Sequence, residues 1–319
     1  MHLRNKYYDS IESSQSEIHC PVISVGNLTT GGSGKTPFIM YLIQLLNNKN
    51  LKLNILVVSK SYKAKTKQPQ EVSIDSIESV YAYGDEPCLI KKKYPDVNVW
   101  SGPNKSETVK TAMQYYKSKN SKIDLVLVDD GFSHRKLKRN LDIVLLDTTQ
   151  NLQHYNLLPL GHLREDFRSL NRAGLVILTK VNQANSGTLK FLKQKINNLN
   201  FIESDLLTNF DQNVSENAKA FLFSGIANPK SFEKSLIDQK IQIIDHLIFP
   251  DHRAYSSTDQ NDIYQKFLKS KAEIICTTAK DMIKINHIGL LKSAQVLQAQ
   301  IKISPYEEVK IYETICALF

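Results

Sequence analysis

The residues with the clearest chemical purpose in this sequence are Thr29-Thr30-Gly31-Gly32-Ser33-Gly34-Lys35-Thr36. Glycines at that density let backbone N–H groups close around phosphates, and a helix opening here adds its positive N-terminal dipole. Lys35 then reaches the β- and γ-oxygens of a triphosphate, and the Thr36 hydroxyl binds Mg²⁺. One position departs from the strict phosphate-loop pattern, which has glycine five residues before Gly34; Thr29 stands there. The bland reading is a glycine-rich turn with an accidental Lys-Thr. A second signal is Asp129-Asp130, directly after the apolar run 123–128. In phosphate-loop enzymes a carboxylate at the end of a neighbouring parallel strand holds Mg²⁺, directly or through water. Alone, an acidic pair after a strand is usually a loop or a helix cap. Beside a phosphate loop it points to a nucleoside-triphosphate-dependent enzyme or switch.

These residues need elements to position them. Apolar, β-branched runs at 22–25, 53–59, 97–100, 123–128, 143–146 and 175–178 read as buried strands, and 37–48, 107–119 and 187–198 carry helical spacing. Buried strands alternating with helices imply a parallel sheet covered on both faces. After about residue 205 the pattern repeats on a smaller scale, with strands at 219–223, 241–245 and 273–277 and helices at 229–235 and 258–270. The polar stretch 208–217 reads as a linker. The expected fold is therefore α/β: a phosphate-loop core, residues 1–207, and a smaller α/β domain, residues 208–319, contributing to a cleft between them.

Composition narrows the partners. The chain has 319 residues, 41% hydrophobic and 23% charged, enough for two folded domains and against long disorder. A net charge of +9 favours anionic partners. The four cysteines, Cys20, Cys88, Cys276 and Cys316, show no paired spacing, which argues against a zinc ribbon or disulfide scaffold. No run approaches the roughly 18 apolar residues of a membrane span. The start, MHLRNKYYDS, lacks the apolar stretch of a secretory signal. A soluble or peripheral polypeptide is expected.

Longer strings carry a resemblance. The segment 24–37 closely resembles the phosphate loop of the tetraacyldisaccharide 4'-kinase (lipid A kinase) family, where the first glycine is likewise replaced. Gly84-Asp85-Glu86-Pro87, Val128-Asp129-Asp130-Gly131-Phe132-Ser133-His134, Leu158-Pro159-Leu160-Gly161-His162-Leu163-Arg164-Glu165 and Phe249-Pro250-Asp251-His252 agree in order. The segments 223–229 and 277–281 also look familial. The resemblance implies an ATP- and Mg²⁺-dependent kinase phosphorylating the 4'-hydroxyl of tetraacyldisaccharide 1-phosphate to give lipid IVA. It implies peripheral contact with the cytoplasmic face of the bacterial inner membrane. A monomer without a nucleic-acid partner is expected.

By the same resemblance Asp85, coupled to His252, takes the acceptor's proton, and Lys35 and Arg164 act on phosphate oxygens. Residues 29–36 bind the nucleotide; Thr36, Glu86, Asp129 and Asp130 are the candidate metal and water ligands. Without the family match, Gly-Asp-Glu-Pro is a turn opening a helix and Asp251-His252 a loop. The basic run His134, Arg135, Lys136, Lys138 and Arg139 reads as an exposed face, and Lys60, Lys63, Lys65 and Lys67 as solvated lysines. Departures from the family are the absence of its hydrophobic N-terminal helix before 3–9, Ser59-Lys60-Ser61-Tyr62-Lys63 for Ser-Arg-Gly-Tyr-Gly, Ser133 for Gln and Ala279 for Glu. The first puts stable membrane anchoring in question, or means that the start is late. The competing reading is a regulatory GTPase or metallochaperone-type NTPase, with Thr278-Ala279-Lys280-Asp281 resembling a guanine-reading Asn-Lys-x-Asp. A nucleic-acid-binding ATPase has only Tyr62, Tyr115 and Tyr116 beside lysines to support it.

Overall fold

A computed structural model describes residues 18–60 and 67–319. The first half alternates strands and helices: β1 (Val22–Asn27), α1 (Lys35–Asn48), β2 (Ile55–Lys60), β3 (Gln70–Glu71), α2 (Glu78–Tyr83), α3 (Asp85–Lys93), β4 (Asn98–Gly102), α4 (Lys105–Ser118), β5 (Leu125–Asp129), β6 (Leu141–Asp147), β7 (Leu175–Thr179) and α5 (Ser186–Lys195). The chain continues through β8 (Phe201–Phe210), β9 (Lys219–Ser224), α6 (Pro229–Ile237), β10 (Gln242–Ile248), α7 (Ser257–Lys269), β11 (Ile274–Thr278), α8 (Ala279–Met282), α9 (Ile288–Ser293), β12 (Ala294–Lys302) and α10 (Pro305–Cys316). Strands β1, β5, β6 and β7 are buried at every residue, as their unbroken apolar runs require of a sheet covered on both faces.

The described strands form one sheet in the order β10-β9-β11-β12-β8-β7-β6-β1-β5-β2-β4-β3. It is mostly parallel, with two exceptions that the apolar runs do not announce. The short β3 pairs antiparallel with β4, and β12 pairs antiparallel with β8. The expected linker is where the reading needs correction. Thr208, Asn209 and Phe210 lie in β8, whose first part pairs parallel with β7 and whose second part pairs with β12. One strand thus serves both halves of the sheet. Its polar residues sit on a half-exposed strand, where alternation rather than polarity is the signal.

The last elements, β12 and α10, were not apparent from the pattern. Helix α10 returns to the first half: Ile311 and Ile315 join the core around Ile23, Phe38 and Ile39, and Tyr41 donates to Glu308. Helix starts follow ordinary capping rules. Asn104 accepts from the Ser106 and Glu107 N–H groups at α4, and Ser256 and Asp259 form a capping box at α7. Because β1, β5, β6 and β7 run in parallel, the loops that follow them all emerge at one edge of the sheet, where ligands of open α/β sheets bind.

Candidate active site

Between β1 and α1 the chain turns through Gly31 at φ 105° and Gly34 at φ 87°, values that a side chain rarely tolerates. Lys35 opens α1 with its Nζ 3.3 Å from Asn27 Oδ1 and 3.8 Å from Asp130 Oδ1. Thr36 and Ser33 are buried, and Ser33 Oγ has no partner. The loop leans on the segment after β6: Thr30 N donates to the His162 carbonyl at 2.9 Å and Arg164 N to the Leu28 carbonyl at 2.7 Å. This explains the departure at Thr29. It forms a β-bridge with Leu163 and its hydroxyl accepts from Asn27 Nδ2, so the position calls for extended backbone rather than glycine's freedom.

The acidic pair at the end of β5 splits. Asp129 is 2% exposed; Ser59 donates to its Oδ2, while its Oδ1 has no partner. Burial and the nearby Glu86 charge push its pKa up to about 7. Asp130 goes the other way. Burial opposes ionisation, but Arg164 grips both its oxygens at 2.8 and 3.1 Å, and Lys35 and Lys105 stand within 4 Å, which holds the carboxyl well below the usual range. An orphaned buried carboxylate oxygen is what a Mg²⁺ site would leave behind. Among the described residues no three His, Cys, Asp or Glu side chains form a ready-made metal cluster. Mg²⁺ commonly takes only one or two carboxylates and completes its shell with waters and substrate phosphates, so Asp129 and Thr36 suit it.

The third group spans the two halves. Asp85 opens α3, almost fully buried, and His252, at φ 60° beyond β10, directs Nδ1 to Asp85 Oδ2 at 2.9 Å. Lys280 Nζ lies 3.7 Å from Asp85, 3.6 Å from Glu86 and 3.4 Å from His252 Nε2; Lys284 Nζ lies 3.8 Å from Asp85. Burial raises the Asp85 pKa, but the His252 hydrogen bond and the lysines outweigh it and bring it to about 2. Asp281, fully buried, accepts from Gly225 N, Thr278 Oγ1, Tyr255 Oη and Lys284 Nζ, and so ties this corner together.

All the expected site residues therefore gather in two linked clusters: 29–36, Asp129, Asp130 and Arg164 around the phosphate loop, and Asp85, Glu86 and His252 beside it. Lys280 contacts Glu86, and the Glu86 charge reaches Asp129. Arg164 holds Asp130 and Asn27 directly. Two expectations need correction. The basic run is not one exposed face: Lys136 and Lys138 are exposed, but Arg139 is almost buried, donating to Asp142 and to the His134 and Leu137 carbonyls. His134 is partly buried, and burial with Lys105 and Arg139 lowers its pKa to about 4. The Thr278–Asp281 segment cannot serve as a guanine reader, because Asp281 is spent on internal donors. Tyr116 is buried, donating to Glu71 and packing on Trp100. Residues 3–9, Ser61, Tyr62, Lys63 and Lys65 lie outside the described residues.

Sequence reasoning missed Lys105 and Lys284. Lys105 is buried at the first position of α4 and donates to the Asp130 carbonyl. A lysine at a helix N-terminus opposes the dipole, and that misplacement was the available signal.

The sequence model for the family described as tetraacyldisaccharide-1-P 4'-kinase matches residues 1–319. A tetraacyldisaccharide 4'-kinase from Bdellovibrio bacteriovorus is 35% identical over 297 residues, 90% of this chain and 86% of that protein. The Aquifex aeolicus protein of the same name is 32% identical over 317 residues, 97% of this chain and 92% of that one. A crystal structure of LpxK from Aquifex aeolicus in complex with ATP superposes with a TM-score of 0.75 at 29% identity, covering 100% of this chain and 94% of that one.

Proposed function

This chain belongs to the tetraacyldisaccharide-1-P 4'-kinase family, and from that premise we propose how its residues carry out the reaction. The enzyme transfers the γ-phosphoryl group of ATP to the 4'-hydroxyl of tetraacyldisaccharide 1-phosphate, giving lipid IVA in lipid A biosynthesis. The observation that best supports the residue assignment is the Asp85–His252 hydrogen bond, made between the two halves of the chain next to the phosphate-loop cluster.

Phosphoryl transfer is mostly positioning and charge stabilisation. Backbone N–H groups of 29–36 surround the phosphates, and Lys35 leaves Asn27 and Asp130 to meet the β- and γ-oxygens. Thr36 and Asp129 would hold Mg²⁺, with Glu86 and Asp130 close by as further candidate ligands of the ion or its waters. Bound there, the ion would supply positive charge to the transferring phosphoryl group. Asp85 accepts the proton of the attacking hydroxyl and shares it with His252, while Lys280 and Lys284 keep Asp85 ionised. Arg164 fixes Asp130 and presents a cation beside the phosphate loop. The first half, 1–207, binds ATP, and the second, 208–319, brings His252; α10 packs on the first half. The protein works as a monomer, peripherally, on the cytoplasmic face of the inner membrane.

The test is transfer of label from γ-labelled ATP to tetraacyldisaccharide 1-phosphate in detergent micelles, with and without Mg²⁺. A bis-phosphorylated lipid formed only with Mg²⁺ is expected. Nucleotide hydrolysis without lipid phosphorylation would favour a regulatory NTPase instead.

A further inference from the structure

The segment that walls the phosphate loop also carries the most conspicuous apolar surface near it. Leu157, Leu158 and Leu160 are 47%, 52% and 85% exposed, and Leu152 is 49% exposed. This turn is tightly tied. Leu158 N donates to the Leu163 carbonyl, Leu160 N and Gly161 N to the Leu157 carbonyl, and His162 N to the His154 carbonyl. A Cβ on Gly161 would meet the Gln153 and Asn156 carbonyl oxygens at 2.5 Å. Backbone this well satisfied holds three leucines in water as a tied turn rather than a loose loop.

We propose that this leucine turn inserts into an anionic lipid bilayer and seats the enzyme with its phosphate-loop edge toward the membrane. The inference rests on the lipid-kinase reading above: an acceptor with four acyl chains sits in a bilayer, so the phosphate loop must work at that surface. The turn is joined to the phosphate loop through the Thr30–His162 and Arg164–Leu28 hydrogen bonds. Charge agrees with this orientation. Lys136 and Lys138 are exposed after β5, and Arg168, its side chain 93% exposed, follows the turn after β6. Both loops leave the same edge of the parallel sheet. Apolar side chains flanked by cations are the combination that binds anionic membrane interfaces.

The experiment is co-sedimentation of the full chain with vesicles of phosphatidylethanolamine and phosphatidylglycerol. In the L158S/L160S variant the bound fraction should fall about tenfold or more, with ATP binding and lipid phosphorylation in detergent micelles within about twofold of the parent. Independently, Leu160→Trp should shift its emission to the blue on these vesicles and be quenched by brominated acyl chains. The native Trp100, 4% exposed, supplies the background. Unchanged vesicle binding by L158S/L160S together with an unshifted Leu160→Trp emission overturns the proposal. So does a dimer, seen in sedimentation velocity, that L158S/L160S dissolves without altering vesicle binding, because the turn would then seat a second copy. Failure of the parent protein to phosphorylate lipid in micelles would count against the kinase reading, while vesicle binding would still read the turn on its own.

Discussion

At the phosphate end of the site, Asp130 is held by Lys35, Lys105 and Arg164, all from the first half of the chain. At the acid–base end, Asp85 is held by His252, Lys280 and Lys284, all from the second. Both carboxylates are nearly surrounded by cations and both are driven toward ionisation, yet the consequences differ. The cations around the phosphate end all come from one half. The acid–base end is built from both halves, since Asp85 comes from the first and His252, Lys280 and Lys284 from the second. Nucleotide affinity and proton transfer should therefore be separable by mutation.

The largest expected effect is at the phosphate end. Lys35→Ala removes the cation proposed to meet the γ-phosphoryl oxygens and should lower turnover about 10³-fold or more. The melting temperature should stay close to the parent's, since Lys35 fills no core. Steady-state kinetics and a thermal melt check it; normal turnover would take the phosphate loop out of the mechanism. Next comes the acid–base end. His252→Ala should slow transfer by about 10²- to 10⁴-fold, the usual range for a positioned proton acceptor, with little change in ATP affinity. Calorimetric ATP binding separates the two ends. An ATP affinity that falls as far in His252→Ala as in Lys35→Ala would show that they are not independent.

The third effect concerns stability and runs in opposite directions at the two ends. Asp129 has its folded pKa raised to about 7 from the ordinary 3.8 of an aspartate, so between these limits the native state holds a proton that the unfolded chain has lost. Stability of the metal-free protein should therefore fall as pH rises from about 4 to 7. Asp85, lowered to about 2, contributes stability above its unfolded pKa and loses it as pH falls through about 2. Asp129→Asn removes the first slope and should stabilise the metal-free protein at pH 7, while abolishing Mg²⁺-dependent transfer. Urea titrations across pH read the slope directly. A slope unchanged by the substitution would mean that Asp129 ionises as an ordinary carboxylate, and the case for a metal at its unpaired oxygen would weaken.

The same contrast decides what the sequence could reveal. The phosphate end was legible because its parts are short-range: a strand, a glycine turn and a lysine within a dozen residues, then a carboxylate pair closing another apolar strand. The acid–base end was legible only through family resemblance, since nothing local in Asp85 or His252 says that residues 167 apart will hydrogen-bond. Lys284 escaped because a buried lysine looks like any surface lysine until its neighbours are known, and Lys105 offered only its misplacement at a helix N-terminus. The fold shows the same division. Strands buried on both faces announced themselves by unbroken apolar runs, whereas β8 reads as polar where it turns from β7 to β12, and that turn joins the halves into one sheet.

The smallest effect sharpens the local reading most. Thr29→Gly restores the strict phosphate-loop glycine, and if that position served phosphate approach, ATP affinity should improve. The structure gives Thr29 a different job. Its backbone bridges to Leu163 and its hydroxyl accepts from Asn27, whose other side-chain atom, Oδ1, meets Lys35 and Arg164. Glycine would lose that hydrogen bond and the extended preference that keeps the wall of the loop in register. The variant should be destabilised by about 0.5 to 1 kcal/mol and bind ATP no more tightly, within about threefold of the parent on the weaker side. Tighter binding would mean that the threonine obstructs the phosphates. Weaker binding with a looser 157–164 segment, read by hydrogen exchange at Thr30 and Arg164, would mean that the phosphate loop takes its shape from the neighbouring turn as much as from its own glycines.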